Sequence, residues 1–207
     1  MSIKFYYAPH SNATRIHCTL EELGIPYEKI KLDLSAGDQR KPEFLALNPN
    51  GKVPTIVIDD TPIFESVAIQ IALGERYGVG KGLWPPLGSS DHLQALTWIT
   101  WGQVTLAAGP LRYFQNTSTY IAAEAHNAKQ AELAMEEFVT SLGILNDRLS
   151  GRPYVVGDRF SLVDVDLAAV LGWALSMMKL DLSTYPHLAA WLGRANQRPA
   201  MQLVMAS

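Results

Sequence analysis

Three short stretches hold the side chains best suited to chemistry. Across residues 6–28, "YYAPHSNATRIHCTLEELGIPYE", an apolar run stops at Ala8-Pro9, and a turn carrying His10, Ser11 and Asn12 opens directly into a helical pattern. A hydroxyl and a carboxamide placed there are donors beside unpaired backbone N–H groups, where the partial positive charge of a helix start favours an anion. The same arrangement recurs at Glu65-Ser66, where a short strand-like run meets another helix. Between the two lies "GKVP", residues 51–54. Each polar pair also has a plainer use. Ser and Asn are common N-caps, and Glu is a favourable first-turn charge.

The elements that must position these residues divide the chain in two. Up to about residue 78 the pattern alternates. Residues 3–7 read as a strand and residues 12–23 as a helix, with Ile16, Leu20 and Leu23 at helical spacing and Gly24 as its stop. "YEKIKLDL" is strand-like and "KPEFLALNP" is a short helix. "VPTIVIDDTPIF" holds a β-branched run, an Asp-Asp turn and a second strand, and "ESVAIQIALGERYG" is a helix. The order β-α-β-α-β-β-α fits a small α/β layer fold with a mixed sheet.

Residues 79–90, "VGKGLWPPLGSS", have the Gly, Pro and Ser density of a linker, and residues 91–207 show no strand run. Residues 91–114 place Leu93, Leu96, Thr100, Val104, Ala107 and Leu111 on one helical face. A second helix is expected over 118–149. "FSLVDVDLAAVLGWALSMM" is apolar almost all round, which predicts a helix buried on every side, opened by an approximate capping box of Ser161 and Asp164. The second half is therefore expected to be all-helical.

Bulk composition excludes several classes of partner. A net charge of −3 with 18% charged residues gives no electrostatic reason for nucleic acid or an anionic membrane surface. Cys18 is the single cysteine, so the chain holds neither an internal disulfide nor a two-cysteine redox pair. Five histidines without ligand spacing predict no metal site. A start without a long apolar segment predicts a cytoplasmic location.

"NPNGKVPTIVID…TPIFESVAI" and "SLVDVDLAAV", together with the opening stretch, resemble the cytosolic glutathione S-transferase family, and the resemblance spans nearly the whole chain. It implies a thioredoxin-like first domain (1–78), a helical second domain (91–207), glutathione as co-substrate with no further cofactor, a small apolar electrophile as second substrate, and a homodimer. The alternatives on the same fold are a glutathione-dependent peroxidase or disulfide reductase, which starts from the same thiolate, and a binding or assembly protein without the chemistry. Glutathione offers a γ-glutamyl carboxylate and ammonium, a thiol, and a glycine carboxylate. By this resemblance Ser66 and its helix start meet the first carboxylate, and Glu65 pairs with the ammonium. Val53 lends its backbone to the ligand's cysteine ahead of a cis Pro54. Lys52 and Gln39 (or Arg40) reach toward the glycine carboxylate.

The thiol must become a thiolate to react. Lowering a thiol pKa from about 8.5 by about two units takes roughly 2.7 kcal/mol, within reach of one good hydrogen bond to the charged form, on the order of 1.5–3 kcal/mol. Ser11, followed by Arg15 four residues later, matches the serine of the theta, delta and phi groups and is the foremost donor; Asn12 is its close competitor. Tyr6 and Tyr7 occupy the position used by tyrosine-type classes, but packing in the strand is the better reading. Arg15 is read as tying its helix to the second domain. Cys18 lies two turns into its helix among apolar residues, which argues for an inert buried thiol. Tyr113, on the long helix facing the thiol, is expected to line the electrophile pocket. Asp166 has no evident role in the sequence.

Overall fold

The computed structural model describes residues 2–206. Its first half is a four-stranded sheet in the order β2-β1-β3-β4, with β1 at Ile3–Tyr7, β2 at Glu28–Lys31, β3 at Thr55–Ile58 and β4 at Thr61–Phe64. β1 runs parallel to β2 and antiparallel to β3, and β3 pairs antiparallel with β4. Alternation sets the faces, since Ile3, Phe5, Ile56 and Ile58 are all buried. The Asp59-Asp60 turn between β3 and β4 has positive φ at both residues, the twist a tight hairpin needs. This is the mixed-sheet thioredoxin-like arrangement that the resemblance implies.

Helix α1 (Ala13–Leu23) crosses over between the parallel strands and ends at Gly24, whose left-handed backbone (φ +57°) returns its N–H to Leu20 and Glu21. Residues 15–20 of α1 are all buried. The sheet covers one side of the helix, and the helical half covers the other. α2 (Pro42–Leu45) is a single turn. α3 (Ser66–Leu73) follows β4 and packs Ile69 and Leu73 into the same core.

The 79–90 stretch is anchored at both ends. Trp84 is buried and fills the room left by Gly74 and Gly78, where a Cβ would stand 2.4 and 2.9 Å from its atoms. Leu83 O accepts from the N–H of Leu162, 2.9 Å away. Ser89 then caps α4 (Ser90–Trp101) by accepting from His92 N–H.

Two helices differ from their expected course. The span 91–114 is not one regular helix. A π-turn over Gly102–Leu106, closed by Ala107 N–H to Gly102 O at 3.0 Å, separates α4 from α5 (Ala108–Thr117). Part of the predicted apolar face turns outward: Leu93, Val104 and Leu111 are 64%, 67% and 51% exposed, while Leu96 and Ala107 pack against the core that Ala95, Ile99 and Leu106 enter. The second helix, α6, spans Ala128–Arg148, ten residues shorter at its start than expected. Ser118 leaves the helical conformation and folds back on Tyr120 N–H. Asn127 then caps α6 by accepting from Gln130 N–H.

α7 (Leu162–Met178) is buried through Leu171 as predicted, but its second half reaches the surface at Trp173. The capping residue Asp164 accepts from the Ser161 N–H at 2.9 Å and hydroxyl at 2.8 Å, and also from Val155 N–H and Trp191 Nε1–H. α8 (Pro186–Asn196) and α9 (Pro199–Met205) close the bundle. Among the described residues no helix is long and apolar enough to cross a membrane.

Candidate active site

Strand register brings the three chemical stretches to one place. Tyr6 pairs with Thr55, and Thr55 with Phe64. The residues after Tyr7, before Thr55 and after Phe64 therefore leave the sheet at the same end. These are the turn with Ser11 and Asn12, the Lys52-Val53-Pro54 run, and Glu65-Ser66. The Val53–Pro54 peptide is cis, and Pro54 is buried. His10 (φ +53°) and Glu65 (φ +68°) hold left-handed backbone that non-glycine residues seldom adopt, a cost of about 1–3 kcal/mol each that tends to gather at functional sites.

Capping and chemistry now separate. The Ser11 hydroxyl donates to Ala8 O at 2.7 Å and accepts from Ala13 N–H at 3.2 Å, so it serves the turn. Asn12 starts the helix without capping it through its side chain. Its Nδ2 instead lies 3.4 Å from Ser66 Oγ, joining the first turn to the start of α3. Ser66 is the first residue of α3 rather than its cap, and its Oγ also lies 3.4 Å from Gln103 Oε1. Glu65 is exposed at the rim and bonds no backbone N–H of α3 through its side chain.

Beneath this surface Arg15 is buried and carries the domain-tying role expected of it. Its Nε donates to Asp166 Oδ1 at 2.7 Å and its Nη2 to Asp166 Oδ2, a bidentate pair between α1 and α7. Nη1 donates to Gln103 Oε1 and lies 3.4 Å from Asn12 Oδ1. Gln70 Nε2 adds a 3.0 Å bond to Asp166 Oδ1. Asp166 thus gains a role that its sequence position does not suggest. Gly102 makes the approach possible, because a Cβ there would stand 2.4 Å from Leu167 Cδ2. The π-turn that follows carries Gln103 onto Arg15 and Ser66. Sequence reasoning missed Gln103; the glycine just before it is the one local signal.

The far end of the site is built by close packing. Gly51, with φ +59°, lies against the Gln39 carbonyl and Arg40 Nη1, where a Cβ would be 2.8 and 3.0 Å away. That contact sets Gln39 beside Lys52. Gln39 donates its Nε2 to Leu34 O at 3.2 Å, while its Oε1 is buried without a partner. Lys52 is exposed, and its carbonyl accepts from Asn48 Nδ2 at 2.8 Å. Asn48, also missed, is buried and shapes the loop ahead of Pro54 through Thr55 Oγ1 and Asn50 N–H.

The remaining candidates fall elsewhere. Tyr6 packs on Phe44, and Tyr7 stacks on Phe5 beneath Lys29, so both serve the sheet. Cys18 is fully buried, and desolvation, with Asp166, Glu21 and Glu22 adding to it, pushes its thiol up to about 12. Tyr113 is half-buried and lines an open groove of about 660 Å³ between α5 and α6, with Asn116, His126, Ala131 and Met135. None of the residues at the sheet end lines that groove. Among the described residues no cluster of His, Cys, Asp or Glu could hold a metal ion.

Residues 1–71 match the family model "Glutathione S-transferase, N-terminal domain", and residues 123–194 match "Glutathione S-transferase, C-terminal domain". The disulfide-bond oxidoreductase YfcG of Escherichia coli (strain K12) is 32% identical over 96% of this chain and 92% of its own. Glutathione S-transferase 3 of Zea mays is 31% identical over 99% of this chain and 94% of its own. The solved structure of a sphingomonad glutathione S-transferase complexed with glutathione superposes with a TM-score of 0.84 at 28% identity, over 98% of this chain and 97% of that one. Both halves of the fold, the motifs at the sheet end and full-length relatives agree: the chain belongs to the glutathione S-transferase family.

Proposed function

We propose that the chain is a glutathione transferase that holds glutathione as its thiolate and joins it to a small apolar electrophile. The observation that carries this reading is the Asn12 side chain. It is exposed, does not cap its helix, and stands 3.4 Å from Ser66 Oγ at the sheet end. Glutathione laid along that end would meet Ser66 and the start of α3 with its γ-glutamyl carboxylate, and Glu65 with its ammonium. Val53, before the cis Pro54, would pair with its cysteine backbone, and Lys52 and Gln39 would face its glycine end. The thiol then falls at the turn with Ser11 and Asn12. Asn12 is the readier donor, since its amide is not spent on the backbone; Ser11 adds its hydroxyl by releasing Ala8 O. The thiolate forms its bond to the electrophile's carbon, the leaving group departs with the displaced electron pair, and the thiol proton has already gone to solvent. Stabilisation and proximity suffice, with no covalent enzyme intermediate. Tyr113, from the helical half, is the residue proposed for the electrophile, in a groove between α5 and α6 that the sheet-end residues do not line.

A homodimer belongs to the same reading. Leu93, Val104 and Leu111, exposed along α4, the π-turn and α5, are apolar surface of the kind that a second copy covers.

Calorimetric titration with glutathione in two buffers of different ionisation enthalpy measures affinity and proton release together. Binding with proton release near neutral pH is expected. Asn12→Ala should reduce the release more than Ser11→Ala. No binding by the wild-type protein would overturn the reading.

A glutathione-dependent disulfide reductase is the second reading, favoured by the similarity to the Escherichia coli oxidoreductase. Cys18 is buried and held as a thiol, so any disulfide exchange would run through the thiolate of bound glutathione. Parallel assays with 1-chloro-2,4-dinitrobenzene and 2-hydroxyethyl disulfide separate the two.

A further inference from the structure

Gln103 has no part in the glutathione contacts proposed above, yet its bonds to Arg15 and Ser66 fix what it can offer. We infer that its side-chain amide is a further ligand for the γ-glutamyl carboxylate, supplied by the helical half and aimed by Arg15; this rests on the glutathione reading above.

The orientation follows from donor and acceptor chemistry. A guanidinium donates and never accepts. Arg15 Nη1 meets Gln103 Oε1 and Asn12 Oδ1, so both carboxamides turn their oxygens inward to it. Their NH₂ groups then face away from the buried arginine. For Asn12 that direction is Ser66 Oγ. For Gln103 it leaves Nε2 without a protein partner among the described residues, on a half-buried side chain whose Oε1 is 3.4 Å from the same hydroxyl. Ser66 itself is 3% exposed, so an oxygen of the ligand that reaches it leaves water behind.

Charge fits as well. Arg15 is already neutralised by Asp166, and a carboxylate at Ser66 must be met by neutral donors. Three are within reach of it: the Ser66 hydroxyl, the first N–H groups of α3, and Gln103 Nε2, on the carboxamide whose Oε1 is 3.4 Å from that hydroxyl. Before the ligand arrives, the Ser66 hydroxyl donates to Gln103 Oε1. Turning to the carboxylate abandons that oxygen at little cost, because Arg15 continues to donate to it. Gln103 is thus a binding residue, and Arg15 a positioning residue acting through it.

The test compares glutathione with 4-aminobutanoyl-cysteinylglycine, which keeps the ammonium, thiol and glycine end but lacks the γ-glutamyl α-carboxylate. Gln103→Ala should weaken glutathione binding about tenfold, the range of one hydrogen bond to a charged group, and leave the truncated ligand unchanged. In turnover it should raise KM for glutathione with kcat at saturation preserved. Gln103→Glu keeps an acceptor for Arg15 but sets a carboxylate against the ligand's, and should lose more on glutathione than the alanine variant. Equal losses on both ligands, or no loss on glutathione, would overturn the inference while leaving the transferase reading intact. Failure of the wild-type protein to bind glutathione would remove both.

Discussion

Asp164 and Asp166 stand two residues apart on one helix, and both are fully buried. Their partners differ. Asp164 is held by neutral donors from its own half: the Ser161 hydroxyl and N–H, the Val155 N–H and the Trp191 indole. Burial raises its pKa, and those four hydrogen bonds pull it back. Asp166 is held by a cation from the other half, Arg15, 151 residues away in sequence, with Gln70 alongside. The first carboxylate closes a corner within the helical bundle. The second joins the bundle to the sheet and, through Arg15, holds the carboxamide oxygens of Asn12 and Gln103, whose NH₂ groups are proposed to face the ligand. Equal burial and equal side chains therefore close one half of the molecule at Asp164 and join the two halves at Asp166, according to where the partner comes from.

The largest effect should come from breaking the local corner. Asp164→Ala leaves the Val155 N–H and the Trp191 indole N–H buried without acceptors, each costing about 1–3 kcal/mol, with the capping contacts of α7 lost as well. A loss of about 4 kcal/mol in urea unfolding is expected, with glutathione affinity of the remaining folded protein within about twofold of wild type. If Asp164→Ala instead abolished binding at full stability, the contrast between the two carboxylates would collapse.

The second effect sharpens the contrast from the other side. Asp166→Leu strands the Arg15 charge, and breaking a buried pair in this way costs about 3–5 kcal/mol. The double variant Arg15→Met/Asp166→Leu removes both charges and should recover most of that loss, since buried pairs are often replaceable by packed apolar residues. Glutathione affinity should not recover with it, because nothing then turns Asn12 and Gln103. Unfolding and calorimetry on all four proteins of the cycle decide the matter. Recovery of binding in the double variant would show that Arg15 serves packing only.

What was legible in the sequence follows the same division. Ser11, Asn12, Val53-Pro54 and Glu65-Ser66 could be picked out because each sits at the end of an element that announces itself locally. The Ser161–Asp164 cap spans three residues, and it too was readable. Arg15 could be read as a tie to the second half, but its partner Asp166 and the nearby Gln103 could not, since they depend on how α1, α3, α7 and the π-turn come together across 88 to 151 residues of chain. Periodicity placed Leu93, Val104 and Leu111 on one face but could not say that the face looks outward, because a stripe awaiting a partner has the same spacing as a stripe in the core. The loop at 118–127 was hidden by residues compatible with a helix, Ala122, Ala123 and Glu124 among them; the cap at Asn127 was the clue.

α1 itself carries both ways of burying a base, and the smallest predicted effect distinguishes them. Arg15 stays charged beside Asp166. His17, two residues on, faces Phe5, Tyr7 and Tyr27, with Lys29 near and Glu21 Oε1 3.6 Å from its Nε2. Desolvation, with Lys29 adding to it, holds its pKa below the ordinary value of 6.5, and Glu21 opposes them. The native state therefore resists a proton that the unfolded chain accepts. Stability from this group is whole above pH 6.5 and is lost as the pH falls through that value toward the native pKa. Each pH unit in that window costs up to about 1.4 kcal/mol, and the pull of Glu21 works against that cost. His17→Gln should flatten the stability profile between pH 7 and pH 5 relative to wild type, with glutathione affinity unchanged. An unaltered profile would mean that the imidazole takes its proton in the fold as readily as in water, with Glu21 offsetting the cost of burial.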